Sequence, residues 1–540
     1  MLKSILSMHG KCKLILRVIA FRNLSETKYQ ESFQCRIIDY FESIWNAQKF
    51  NQQFEVSSQI KEKFCDASAT IEKYESLDKY LKQLLNTRDL NINENSIDYL
   101  DMQCSSLVHF LRHSEVLSLL NAFLKVAPYR FKMTDSYNKS MPILLEAVGN
   151  ELLNNHQLVQ VLFFLSLNKD KSASSVSYLK SHLTNLKDLP LIEKCIVAQA
   201  FYKSSVKLEQ YQSKIFEQVL EKEYNHLIAD QILLVSLCKA IRISGASDEL
   251  NLKKLSQAII HSKIPFTFTT IVHVLGLYAE ALILEPKAIN RLVKDSIEII
   301  KQDGIKCSIR LKDLDRFLWS ISHLGLTLTL NQKSVLQMYF EQRINEYKIK
   351  VNLGILVNSV LCLHMLQCWN KKVIKNLLEE NIFMPVFYEK YHWKIRSRLQ
   401  LLISLIIIEM KLVVPHNLKK QIKISSNPSK YINAVAEIAS SLVEQGMIRN
   451  VVIECPIRTL QIPGVTLITD KNIYHIDVLD NLTCFRNTNI PHGLMKLKIR
   501  LLSRLKYRQI AISNRMFKDS EALHTAIELL IINSISENKT

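Results

Sequence analysis

Apolar positions along this chain come in clumps, not in strict alternation. Leu119–Phe123, Val161–Leu165, Ile196–Ala200, Leu233–Leu237, Val272–Leu277, Phe317–Ile321 and Val360–Leu363 each centre a segment of helical periodicity. Successive centres lie about 35 to 45 residues apart, and each is followed by a more polar helical stretch. That period predicts helix pairs stacked as a solenoid, each pair hiding its apolar face only against its neighbours. An irregular all-α domain would recur at a similar spacing. With 10 Gly and 11 Pro in 540 residues, helices are favoured either way. The array runs over 96–418, preceded by helical patterns rich in Glu, Gln and Lys over 28–95. Leu399–Val414 is the most apolar run, but Gln400, Ser404, Glu409 and Lys411 interrupt it. It therefore predicts a buried helix and no membrane span.

Past residue 418 the pattern changes. Lys419–Lys430 is polar, contains Ser, Asn and Pro, and reads as a linker. Tyr431–Glu444 is amphipathic through Ile432, Val435, Ile438 and Leu442. Val451–Cys455, Val465–Ile468 and Tyr474–Leu479 are strand-like. A loop ends at Pro491-His492-Gly493, and a helix follows whose apolar face is expected to be Leu494, Leu497, Leu501 and Leu505. Gln509–Ile512 reads as a short buried strand and Glu521–Ile532 as a last helix. The order α-β-β-β-α-β-α over 431–540 predicts a small three-layer α/β domain. The fold class is thus mainly α, with a C-terminal α/β domain.

Charge sharpens this picture. From Asn481 to Lys518 there are nine Lys/Arg and no Asp or Glu. Lys496, Arg500 and Arg504, four apart, form a stripe expected at the surface. Replacing all three with Gln should then spare the fold. Lys498, on the other side of the wheel, points with the leucines toward the sheet. Together Arg486, Lys496, Lys498, Arg500, Arg504 and Arg508 are candidates to neutralise successive phosphates. Tyr507 and Phe485 would stack on bases or else belong to the core. The whole chain carries a net charge of +19, which calls for an anionic partner but does not distinguish RNA, DNA and lipid. The first 25 residues hold Lys3, Lys11, Lys13, Arg17 and Arg22 and no acid. They read as a mitochondrial presequence directing the protein to the matrix. Eleven cysteines without a C-x-x-C suit free thiols better than disulfides or a zinc site.

The pattern Gly493-x3-Leu497-Lys498-x-Arg500-x-Leu502-x2-Leu505-x-Tyr507-x2-Ile510-x-Ile512 resembles the RAP domain, found at the C-terminus of FAST-kinase-domain proteins. Lys506 stands where the family has Gly, and the aromatic end of the motif is reduced to Met516-Phe517. Phe317–Gly325, ending in Leu324-Gly325, resembles the family's repeated helix. Arg398–Pro415 resembles the Leu-rich helix that closes its helical region. The resemblance covers about 310–533. It implies a restriction-endonuclease-like C-terminal fold and an RNA-binding protein of the mitochondrion acting in RNA processing, stability or translation. It equally permits a structural subunit of the mitochondrial ribosome, bound to ribosomal RNA and ribosomal proteins.

Catalytic signatures are sparse. No Gly-rich loop, His-Arg-Asp loop, Asp-Phe-Gly or P-loop is present, so kinase chemistry is not expected. A metal-dependent RNA endonuclease would need paired acids and a Lys. Asp477 supplies one acid, Asp470 or Glu454 could provide the other, Asp480 lies beside Asp477, and Leu479 stands where the Lys should be. Lys498 could substitute, although a Lys on an apolar face more often lays its stem along it. No cofactor or metal is expected, and no enzyme.

Overall fold

The computed structural model describes residues 94–415 and 428–515 with short gaps, and a few residues around 36–44, 418 and 525–533. The basic segment 1–25, most of 28–90 and most of the polar stretch 419–430 lie outside the described residues. The chain divides into two compact units, 1–216 and 217–540. It is mainly helical, with one small mixed sheet near the C-terminus.

Each apolar clump centres a helix. In the first unit these are α1 (His113–Val126), α2 (Asn155–Leu167) and α3 (Leu191–Lys203). Consecutive members pack on one another. Every residue of α2 from Leu158 to Ser166 is buried. Its start is fixed by a reciprocal cap, in which the Asn154 side chain accepts from the Gln157 amide and Gln157 accepts from the Asn154 amide.

The second unit contains α4 (Gln231–Ser244), α5 (Glu249–His261), α6 (Phe268–Ala281), α7 (Pro286–Asp303) and α8 (Leu311–His323). It continues with α9 (Leu330–Gln342), α10 (Leu353–Met365), α11 (Lys371–Glu379) and α12 (Trp393–Leu405). The even-numbered helices α4, α6, α8, α10 and α12 form a row, each packed on the next. Between them, α5 packs on α7 and α7 on α9. Composition explains the difference. α7 buries one stripe, Ile289, Leu292, Val293, Ile297 and Ile300, and leaves its other side polar. α10 buries every residue from Leu356 to Met365 because it has a row neighbour on either side. α12 runs on into a π turn, Ile406–Met410, which Lys411 ends in a left-handed conformation. Among the described residues no helix is long and apolar enough to cross a membrane.

The same unit ends in α13 (Lys430–Glu444), β1 (Asn450–Glu454), β2 (Gly464–Ile468), β3 (Ile473–Leu479), α14 (Gly493–Arg504) and β4 (Arg508–Ser513). Strand order follows the sequence. β1–β2 and β2–β3 are antiparallel, and β3–β4 is parallel with α14 as the crossover. Val465, Leu467, Tyr474, Ile476, Val478, Ile510 and Ile512 face Val435, Ile438 and Leu442 of α13 in one core. Alternation turns Thr466, His475, Asp477 and Gln509 to the opposite face, toward α14. These elements match the order expected from the sequence. The expected last helix, 521–532, lies mostly outside the described residues, although Ile531 is buried in the core.

The apolar face of α14 needs correction. Its buried positions are Met495, Leu497, Lys498, Leu501 and Leu502. Leu494 is half-buried, and Leu505 is 39% exposed. The helix ends at Arg504, and α14 meets protein on two sides, so its covered arc is wider and rotated.

Candidate nucleic-acid interface

α14 begins where His492 caps it. The buried ring Nδ1 accepts from the Leu494 amide at 3.2 Å, and Nε2 donates to the Leu482 carbonyl at 2.6 Å. Burial pushes its pKa down, which keeps the ring neutral for this double role. From this start, the cations leave the helix in three directions.

Lys498 goes to the sheet. Its ammonium, with only 1% of the side chain exposed, donates to Asp477 Oδ1. His475 Nε2 lies 3.6 Å from the same oxygen, and its Nδ1 pairs with Thr466 Oγ1 at 2.9 Å. Gly464 makes room for this ring, since a Cβ there would collide with His475 Nε2. So Lys498 is not a phosphate contact. Asp477, 3% exposed, is occupied by it. Asp480 instead holds a turn, accepting from the Leu482 amide at 2.9 Å and the Thr483 hydroxyl at 3.1 Å. The two acids therefore do not share a site.

Lys496 and Arg500 go to the helical row. Lys496 Nζ donates to the Gly325 carbonyl at 2.7 Å, and burial lowers its pKa. Arg500 Nε donates to Glu409 Oε1 at 2.7 Å and Nη2 to Oε2 at 3.2 Å. Its Nη1 also reaches the Met365 carbonyl at 2.8 Å and Nη2 the His364 carbonyl at 3.1 Å. His364 Nδ1 stands 3.1 Å from Glu409. Burial alone would raise the Glu409 pKa, but His364 and Arg500 outweigh it and hold the carboxyl below its ordinary value. The backbone takes part as well. The Arg486 amide donates to the Leu282 carbonyl at 2.8 Å, and Asn487 donates to Glu249 at 2.7 Å. Gly493 sits flush on α8, where a Cβ would run into the Ser322 carbonyl. Gly325, with φ +60°, meets it from the other side.

These acceptors share a position. Leu282, Gly325 and Met365 stand at the C-terminal ends of α6, α8 and α10, and Glu409 in the π turn ending α12. The ends of helices carry unpaired carbonyls and partial negative charge. The loop before α14 therefore meets the end of α6, and α14 itself meets the ends of α8, α10 and α12. Segments 317–325, 398–415 and 493–512 meet at this contact. The expected harmless triple replacement is thereby corrected, because Lys496 and Arg500 hold the α/β module to the row.

Arg504, Lys506 and Arg515 remain exposed, with Tyr507 and Arg508 half-buried beside them. The Arg508 guanidinium lies 5.9 Å over the Tyr474 ring, and Tyr507 meets His475 edge-on at 6.1 Å. Burial raises the Tyr507 pKa. Phe485, 1% exposed, is core and unavailable for stacking. Sequence reading missed Glu409, His364 and Gly325 as partners of α14. Only Glu409 left a trace, as a lone acid in an apolar run. Among the described residues no group of three or more His, Cys, Asp or Glu could hold a metal. A comparison of the chain with protein-family models and with curated proteins finds no match.

Proposed function

We propose that this is a non-catalytic RNA-binding protein of the mitochondrion, acting in RNA processing, stability or translation, with a RAP-like module docked on a helix-pair solenoid. The observation that carries the reading is the basic turn at the end of α14. Arg504 and Lys506 are exposed there, with Tyr507 and Arg508 alongside. A cationic run with an aromatic suits a single strand, whose phosphates take the charges and whose bases stack. The excess of 70 Lys and Arg over 51 Asp and Glu agrees with a polyanionic partner, and the acid-free first 25 residues with the compartment. Engagement of Asp477 by Lys498 favours a binding over a nuclease role. The test is recovery of RNA crosslinked to the full chain after organelle isolation. RNA enriched over a mock preparation supports the proposal, whereas a protein carrying none, outside the organelle, overturns it.

A further inference from the structure

The ends of α6, α8, α10 and α12 meet the module, so their starts lie together at the far edge of the row. Two of those starts are basic. Residues 310–316 contribute Arg310, Lys312 and Arg316, and 393–398 contribute Lys394, Arg396 and Arg398, against only Asp313 and Asp315. α10, packed between α8 and α12, has no Lys, Arg, Asp or Glu. Gly354 at its start lies against Ile395, with Ile395 Cδ1 2.8 Å from where a Cβ would stand. Asn358 and Ser359 of α10 in turn donate to Asp315 of α8, so the first two turns of α8, α10 and α12 lie side by side and bring the two basic starts together.

Of these cations Arg310 is ion-paired, its Nη2 lying 2.7 Å from Asp313 Oδ2. Asp313 accepts from Arg310 Nε at 2.8 Å. Asp315 accepts from Asn358 Nδ2 at 2.7 Å and Ser359 Oγ at 2.9 Å, and burial pushes its pKa up to about 6. At the border stands Trp393, 63% exposed, with the Lys394 ammonium 5.9 Å over its ring.

We infer that this patch, made by Arg310, Lys312, Arg316, Lys394 and Arg398 with Trp393, is where single-stranded RNA lies on the row. The phosphates sit on the cations, and one base stacks on the indole. This rests on the RNA-binding reading and adds a second surface, at the edge opposite the docked module.

The experiment titrates the full chain with a polyuridine oligonucleotide at several salt concentrations, following affinity and tryptophan fluorescence. The triple variant Lys312→Gln, Lys394→Gln, Arg398→Gln should give a salt slope about two units shallower, at roughly 0.7 per lost contact. Trp393→Ala should bind roughly tenfold more weakly and lose the fluorescence change. If wild type binds while both variants match it in affinity and slope, this inference fails and the RNA-binding reading stands. If wild type binds no oligonucleotide, both fall. Equal quenching by a polyglutamate peptide would overturn the RNA assignment of the patch in favour of an acidic protein.

Discussion

The leading and trailing halves of α14 carry the same kind of residue and put it to opposite use. In the leading half, Lys496, Lys498 and Arg500 end on a carbonyl, a buried carboxylate and a carboxylate with two carbonyls. In the trailing half, Arg504 and the following Lys506 stay in solvent. Charge spacing does not tell the halves apart. What separates them is the neighbour each meets. The leading half lies between the sheet, where Asp477 takes Lys498, and the helix ends, whose carbonyls attract donors, while the trailing half runs past both. A cation set against another helix's C-terminus is thus a structural fastening, and its sign says little about an external ligand.

Breaking the fastening inside the module should have the largest effect. Lys498→Met leaves Asp477 buried without its partner, and should cost about 3–5 kcal/mol in denaturant unfolding. Adding Asp477→Leu should recover much of that loss. A single variant as stable as wild type would mean the pair is solvated, and the comparison would collapse.

Next comes the fastening to the row. Arg500→Gln removes charge-assisted hydrogen bonds to Glu409, with an expected loss of about 1.5–3 kcal/mol. Hydrogen exchange should rise at 364–366 and 406–410 before it rises in α4. Uniform exchange would show that α14 is not held there separately.

A pH effect of intermediate size should accompany it. His323, at the end of α8 beneath α14, lies tilted against Trp319 with ring centroids 4.3 Å apart. Burial pushes its pKa down to about 4 from an ordinary 6.5. Between those values the unfolded chain binds a proton that the folded chain refuses. The contribution is therefore full above about pH 6.5 and is lost as pH falls toward 4. His323→Gln should flatten this part of the stability profile, and an unchanged profile would place the ring in water.

The smallest effect on stability belongs to the trailing half. Arg504→Gln and Lys506→Gln should each change stability by less than about 0.5 kcal/mol. RNA affinity should nevertheless fall, with the salt slope shallower by roughly 1.4. Unchanged binding would show that the exposed half is merely solvated.

Legibility followed the range of each contact. The seven apolar clumps located row and first-unit helices because burial on all sides leaves a local mark. The strands were readable from alternation, and the inward direction of Lys498 followed from its place on the wheel. The same alternation would send His475 and Asp477 to water, yet both are buried under α14. The partner of Arg500 was not readable, since Glu409 is 91 residues away. Lys496 ends on a backbone carbonyl, which no residue type can announce.

The separation of those partners bears on the order in which the chain is made. Lys496 meets Gly325 across 171 residues, and Arg500 meets the Met365 carbonyl across 135. Such distant closures are slow, and synthesis proceeds from the N-terminus. The row helices therefore emerge and pair before α14 exists, with their last carbonyls still in water. The C-terminal module arrives late, onto a template already built. A nascent chain halted before Gly493 would keep the row but lack the piece that closes its ends, and would display to the cell's quality-control machinery a surface that the finished protein hides.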